Sequence, residues 1–330
     1  MRLTARRLAA ALAVFIAAAG GASNASAVAA PAPSCPPAAV VPTPDQVAAA
    51  QRDALDLGPL WKATKDGRTV YLYGTIHVAQ WTWRYPGPQV RRAIEASDVV
   101  ALELDLADRD VLQRLQKAIL RDPAAPALPE ALQKRLSASI AAACAAPATF
   151  ALMRAEMQAA TLEVMQGRGF GLYPEFGIDL QLAAIGHGLG KPVRSLETPE
   201  SQAALVVSDD PAETARSVAE TLDDLEGGHG PAMLKRMAAD WARGDVDDLD
   251  AYATWCGCLD TPSQREDFAK LIDGRNPLMA DKIVQWHAQG RSLFVAVGSL
   301  HMTGHAGLPE LLRARGFQVE RVSFAAAAAP

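Results

Sequence analysis

The sequence predicts an α/β (α+β) fold: a central mixed or mostly parallel sheet built from two similar strand–GxxH–helix–strand units, with a large helical insertion. Two observations carry this. Gly74-Thr75-Ile76-His77 closes the apolar run Val70 to Tyr73, and Gly298-Ser299-Leu300-His301 closes the apolar run Leu293 to Val297. After each histidine come a loop, a short helical pattern (Pro88 to Ala96; Leu308 to Arg315) and another strand pattern (Asp98 to Leu104; Phe317 to Phe324). Open α/β sheets gather their chemistry at the carboxyl ends of strands. Two histidines in that position, near opposite ends of the chain, predict one site made by folding the ends together.

The N-terminus reads as an export signal over residues 1–27: Arg2, Arg6 and Arg7, the apolar stretch Leu8 to Ala19, then Ala25-Ser26-Ala27 as a small-residue cleavage site. The apolar stretch is shorter than the roughly 20 residues that a membrane-spanning helix needs. No later stretch comes close, so the mature chain is expected to be periplasmic or secreted, without a transmembrane segment. The residues flanking Arg6-Arg7 do not support a twin-arginine signal, which leaves the general secretory route, and Ala32-Pro33-Ser34 before Cys35 is a poor context for acylation. Losing the leader removes three arginines and no acids, so the formal charge moves from −5 to −8. Nucleic acid is a poor partner for such a chain. Half of the residues are apolar, ample for a sizeable core.

Four cysteines, Cys35, Cys144, Cys256 and Cys258, allow three connectivities in an oxidising compartment. Cys256-Gly257-Cys258 is too close-spaced for an easy mutual bridge. The expected pairing therefore joins one of that pair to Cys144 and the other to Cys35. A metal site at Cys-x-Cys is the rival, disfavoured because the usual second Cys-x-x-Cys is missing.

Along the chain, 28–58 is expected to be an Ala/Pro-rich linker and entry helix, 59–324 the folded domain, and 325–330 a low-complexity tail. Leu60 to Thr64 and Thr69 to Thr75 flank Lys65-Asp66-Gly67-Arg68, a hairpin turn that delivers His77. Val99 to Leu102 is the continuous apolar run of a strand buried on both faces. From about 108 to 166 the alanine-rich pattern is helical, with apolar residues at i, i+3 and i+4 spacing and breaks at Pro123, Pro126, Pro129 and Pro147. Further helices are predicted over Gly177 to Ile185, Ala212 to Gly227, Ala232 to Arg243, Val246 to Ala253, Pro262 to Asp273 and Asn276 to Ala288. A short strand, Pro192 to Leu196, precedes Thr198-Pro199, an N-cap with proline at N1.

Imidazole is the commonest protein metal ligand, and a glycine three residues before it lets the strand end turn sharply. His77 and His301 share that context. Glu103 interrupts a buried apolar strand, where an acid costs several kcal/mol unless paired or bound to a cation; Arg92 is the simple alternative partner. Glu197 follows another strand end and also suits the first turn of the next helix. Arg275-Asn276-Pro277 opens a helix, a setting for an anionic substrate group or a developing oxyanion, with Asn276 as N-cap. Trp81, Trp83 and Tyr85 follow His77 and are placed either along a substrate cleft or in the core. His187, His229 and His287 read as structural, and His305 as a loop residue.

Taken in order, Leu72 to His77, Ala101 to Asp105, Gly177-Ile178-Asp179, Leu196-Glu197-Thr198, Arg275-Asn276 and Gly298 to His301 resemble the TraB/GumN/PrgY family, from about Leu60 to Phe324. That family is similar to the Tiki metalloproteases and is grouped with erythromycin-esterase-like and ChaN-like folds. The resemblance implies His77, Glu103 and His301 as a metal-dependent catalytic core, with Arg275 and Glu197 as further candidates. Met302-Thr303-Gly304-His305 departs from the family pattern, where proline and an acid are common near His305.

The expected function is an exported metal-dependent, peptidase-like hydrolase acting on peptides, with a peptide or small molecule as the partner in its cleft. His77, His301, Glu103 and Glu197 are the metal candidates; Arg275, Asn276, Trp81 and Trp83 are the substrate-binding candidates. A mixed nitrogen and oxygen donor set does not choose among manganese, cobalt, zinc and iron. The alternatives are a non-catalytic protein that binds a peptide or small ligand in the same cleft, and a metal-free esterase-like hydrolase using Glu103 and the two histidines.

Overall fold

A computed structural model describes residues 35–324. The expected leader (1–27), the first residues of the linker and the tail 325–330 lie outside the described residues. Six strands form one mixed sheet: β1 (Leu60–Lys65), β2 (Arg68–Thr75), β3 (Val99–Leu102), β4 (Val193–Ser195), β5 (Leu293–Gly298) and β6 (Gln318–Arg321), in the order β4-β3-β5-β2-β1-β6. β1 and β2 form the expected antiparallel hairpin. Its turn residues Asp66 (φ 50°) and Gly67 (φ 73°) both adopt the left-handed conformation that a tight two-residue hairpin requires.

β2, β5, β3 and β4 run parallel, with β5 from the C-terminal unit lying between β2 and β3 of the N-terminal one. The two units differ at their second strands. β3 is buried along its length beside β5, whereas β6 pairs antiparallel with β1 at the opposite edge and is largely exposed.

Both faces of the central strands are covered, as their unbroken apolar runs require. Phe294 and Ala296 of β5 join a core that includes the helix Pro88–Glu95, the helix Ile178–Gly188 and the insertion; Leu293, Val295 and Val297 join a second core with Met279, Ala280 and Ile283 of the helix Asn276–Ala288. Complete burial of such a side chain contributes about 1.5–3 kcal/mol. The insertion consists of Arg109–Ile119, Glu130–Ala142, Pro147–Phe150 and Ala155–Met165, with Pro129 and Pro147 at helix starts.

Two expected helices are broken. Val246 to Ala253 divides into Val246–Asp250 and Tyr252–Trp255, and the helix from Pro262 becomes a π-turn over Ala269–Asp273. Wider turns of this kind recur at functional sites, and this one leads straight into Arg275. Among the described residues, no helix is long and apolar enough to cross a membrane.

The cysteines pair otherwise than expected: Cys35 with Cys144, and Cys256 with Cys258. Gly257, at φ 61°, lets the chain double back so that the Cα atoms of Cys256 and Cys258 come within 5.1 Å, inside bridging range. A tryptic map of the unreduced protein should show peptide 244–265 internally oxidised, and peptide 136–154 joined to the one ending at Arg52. A cross-link between those two sets would contradict this pairing.

Candidate functional site

The parallel register sets Thr75 of β2 opposite Gly298 of β5, and Leu102 of β3 opposite Ala296. His77, His301, Glu103 and Glu197 therefore all emerge at the carboxyl edge of the sheet. Gly298 marks where three of them meet. A Cβ on it would lie 3.4 Å from Glu103 Oε1, 3.7 Å from His301 Cδ2 and 3.8 Å from His77 Nε2. His301 Nε2 stands 4.0 Å from Glu103 Oε1.

Each imidazole is held from behind. His77 Nδ1 bonds Asp179 Oδ2 at 2.7 Å, and Asp179 Oδ1 accepts from Thr75 Oγ1 at 2.5 Å. Asp179 sits in the first turn of the helix Ile178–Gly188, which docks on the His77 loop through Ile178 N–H donating to Ile76 O. The close approach explains Gly177, where a Cβ would come within 2.8 Å of His77 O. His301 Nδ1 lies 2.6 Å from Asn276 Oδ1, while Asn276 Nδ2 donates to Ala306 O at 2.8 Å. With its amide so oriented, Asn276 accepts from His301 Nδ1–H and leaves Nε2 with a free lone pair.

Asn276 is therefore not the N-cap expected of it. Arg275 occupies that position without a side-chain cap, and completely buried Asn276 orients His301 instead.

Glu103 has the partner its burial demands, and it is Arg275 rather than Arg92. Arg275 Nη2 donates to Glu103 Oε2 at 2.5 Å and also to Glu197 Oε2, Nε donates to Glu197 Oε1 at 2.8 Å, and Nη1 donates to Leu271 O at 3.0 Å. Gln202 Nε2 reaches the same two carboxylates, at 3.0 and 2.8 Å. Three of Arg275's nitrogens are thus engaged within the protein. It braces the carboxylates rather than presenting itself to an oxyanion, and Glu197, with both oxygens on Arg275, is turned away from metal ligation. Glu103 Oε1 instead accepts from Gly298 N–H at 2.8 Å. Among the described residues, no three His, Cys, Asp or Glu side chains form a group that could hold a metal ion as they stand.

The two imidazoles have opposite proton affinities. Burial disfavours the charged form of His77, but the neighbouring Asp179 carboxylate outweighs it and raises the pKa to about 9. His301 is lowered to about 3, chiefly by burial; Glu103 opposes this, and the positive Arg275 and His77 reinforce it. Burial would raise the pKa of Glu103, but Arg275, His301, His77 and the Gly298 N–H together outweigh it and hold the carboxyl well below its ordinary range.

These groups form the polar end of a pocket whose remaining wall is mostly apolar, including Val164, Leu234, Met237, Trp241, Leu271 and Leu300. Trp81 and Trp83 do not line it. Trp81 packs edge-on against Tyr85, and Trp83 lies against Trp241, because the turn Trp81–Arg84 directs both rings into neighbouring packing. Trp241 is the lining aromatic, and its Nε1–H donates to Gly74 O at 2.8 Å. Asp179, Gln202 and Trp241 had no assigned role in the sequence. Asp179 alone carried a signal, through Gly177-Ile178-Asp179; Gln202, in the short helix Pro199–Ala203, and Trp241, in the helix Gly230–Arg243, belong to no motif.

Gly298 has an extended backbone (φ −48°, ψ 139°) that alanine also adopts, and an added methyl would meet only ordinary contacts. Gly298→Ala should melt as the wild type does. Its methyl would nevertheless stand amid His77, Glu103 and His301, so any activity of the site should fall about 100-fold, the scale on which small misplacements act. Thermal melting and turnover, measured side by side, check this.

Residues 59–321 match the model of the TraB/PrgY/gumN family. Two similar relatives are YbaP of Escherichia coli (strain K12) and YbaP of Shigella flexneri, each 25% identical over 253 residues that cover 74% of this chain and 88% of the relative. Both relatives are described as uncharacterized. No solved structure matches the chain. With the family model spanning the whole sheet and every strand-end group of the site, the chain belongs to the TraB/PrgY/gumN family.

Proposed function

We propose that this chain is an exported hydrolase that cleaves a peptide bond at the carboxyl edge of its sheet, assisted by a divalent cation. The convergence of His77, His301 and Glu103 beside Gly298 carries this reading. The donor chemistry suits such an ion. Both imidazoles are oriented through Nδ1 by Asp179 and Asn276, the outer support typical of metal-bound histidines, and Glu103 Oε1 is the nearest carboxylate oxygen. His77 and His301 would hold the ion, with Glu103 as third donor; Glu197 does not fit this role, because Arg275 occupies both its oxygens. Manganese, cobalt, zinc and iron all accept such donors. When bound, the ion supplies a Lewis acid and lowers the pKa of water.

The chain's own residues do the rest. Asn276 keeps the proton of His301 on Nδ1, Asp179 fixes the ring of His77, and Arg275 with Gln202 keeps the Glu103 carboxylate in place. The attacking water gives its proton to solvent at the mouth beside His77, and the leaving amine takes one from there as the C–N bond breaks and the C–O bond forms.

A second reading is favoured by the opposite proton affinities of the two imidazoles, since a pair pushed apart in this way marks an acid and a base. In metal-free hydrolysis, neutral His301 takes the proton of water through Nε2, and protonated His77, paired with Asp179, donates to the leaving group. The deciding experiment incubates the protein with a peptide mixture and follows the products by mass spectrometry, before and after chelation and with each metal restored. Loss on chelation and recovery with one of the four metals supports the first reading; cleavage indifferent to chelator supports the second. Saturable binding without turnover, or cleavage unchanged in His77→Ala, would refute both.

A further inference from the structure

We propose that the pocket receives one large apolar side chain of a peptide substrate, beside the bond that the two histidines face. This rests on the hydrolytic reading for the position of the bond, but not for binding itself. Leu205, Leu234, Met237, Leu271, Ile272 and Leu300 form much of the wall opposite the polar groups. Of the charged side chains in the lining, Glu103 and Arg275 neutralise one another at 2.5 Å and His77 is paired with the Asp179 carboxylate at 2.7 Å, so none is left over for a charged substrate group. The cavity measures about 100 Å³. An engineered apolar cavity of roughly 150 Å³ holds benzene, so this smaller one suits a single aliphatic side chain such as leucine rather than a folded partner. Access is from the side of His77, whose side chain is 29% exposed while that of His301 is 3% exposed.

Gln202 argues that the substrate is an amide rather than a lipid ester. Its Nε2 is committed to the carboxylates of Glu103 and Glu197, which assigns the amide orientation and leaves Oε1 as a buried acceptor with no partner among the described residues. Gln202 belongs to the pocket lining. A buried acceptor of this kind is costly to leave unmatched, and the N–H of a peptide next to the apolar side chain supplies what it lacks. An ester in the same place brings only another acceptor.

The test is calorimetric titration of the His77→Ala protein, which removes turnover from the measurement, with blocked tetrapeptides of one sequence whose second residue is Leu, Phe, Ala or Glu. A depsipeptide, with ester in place of the amide that follows Leu, completes the series. Leu should bind at least about tenfold more tightly than Ala, given what a single methylene is worth in an apolar pocket, with Phe no tighter than Leu, Glu weakest and the depsipeptide weaker than its amide. Half-buried Met237 and Leu234 provide two independent wall variants, Met237→Asp and Leu234→Asp; a variant that melts like the parent should lose the preference for Leu over Ala. Equal binding of Leu and Ala peptides overturns the apolar assignment, and equal binding of depsipeptide and amide overturns the role of Gln202. The preference without any cleavage by wild-type protein would sink the hydrolase and leave this inference standing, whereas cleavage without the preference would do the reverse.

Discussion

Arg275→Leu should destabilise the protein by about 3–5 kcal/mol, the usual cost of removing one partner from a buried ion pair. The side chains of Arg275, Glu103 and Glu197 are 12%, 10% and 10% exposed, so the carboxylates left behind have little water to replace the guanidinium. Adding Glu197→Gln to the variant should recover part of the loss, because a buried amide is less costly than a buried carboxylate. Acidification should narrow the gap between wild type and variant. In the wild type Arg275 depresses the pKa of Glu103, so that its contribution is present above the ordinary value of 4.5 and is lost as pH falls. Without the arginine, burial is opposed only by the two histidines and the Gly298 N–H, so the same pKa rises and proton uptake relieves the variant as pH falls. Urea unfolding of both proteins at pH 7 and pH 5 measures this. A gap that is small at pH 7, or that widens on acidification, would show that the carboxylates do not depend on Arg275.

Replacing either histidine should have the largest effect on catalysis. His77→Ala and His301→Ala should each lower kcat/KM by at least about 100-fold on the peptide that the wild type cleaves best, and the double variant should be no worse than the poorer single one. Groups that act on one bond lose their value together. The two variants should part in stability. His301 is 2% exposed, and its loss leaves Asn276 Oδ1 a buried acceptor without a partner, at about 1–3 kcal/mol. His77 stands at the mouth, where water can replace its ring beside Asp179. Activity losses that multiply in the double variant would mean that the histidines serve separate sites.

Much of the sheet was readable in advance because its signals are local. The hairpin turn Asp66-Gly67, the unbroken apolar run Val99 to Leu102 and the repeated Gly-x-x-His each state a backbone requirement that neighbouring residues meet. His77, Glu103 and His301 could be singled out because polar groups at the ends of apolar strands need a reason to be there. Arg275 drew notice for the same kind of reason, but as an isolated helix start it invited an anion from solvent. Nothing local says that Glu103 and Glu197, which lie far away in the chain, will take its hydrogens. Asn276 reads as a helix cap from its neighbours and is an orienting acceptor for His301 only once Ala306 has taken its amide hydrogens. The cysteine expectation went astray because it weighed sequence spacing alone, whereas the left-handed turn at Gly257 made the closest pair bridgeable.

What the chain determines without folding is a set of demands: strand periodicity, turn chemistry, the pairing need of a buried acid and the ligand chemistry of two imidazoles. Which groups meet those demands was decided in three dimensions. Insertion of β5 between β2 and β3 brings His77, Glu103 and His301 to one glycine, and the packing of helices against that edge supplies Asp179, Asn276, Gln202 and the apolar wall. Electrostatic pairing and exclusion of water act over a few ångströms of space, irrespective of how many residues separate the partners along the chain.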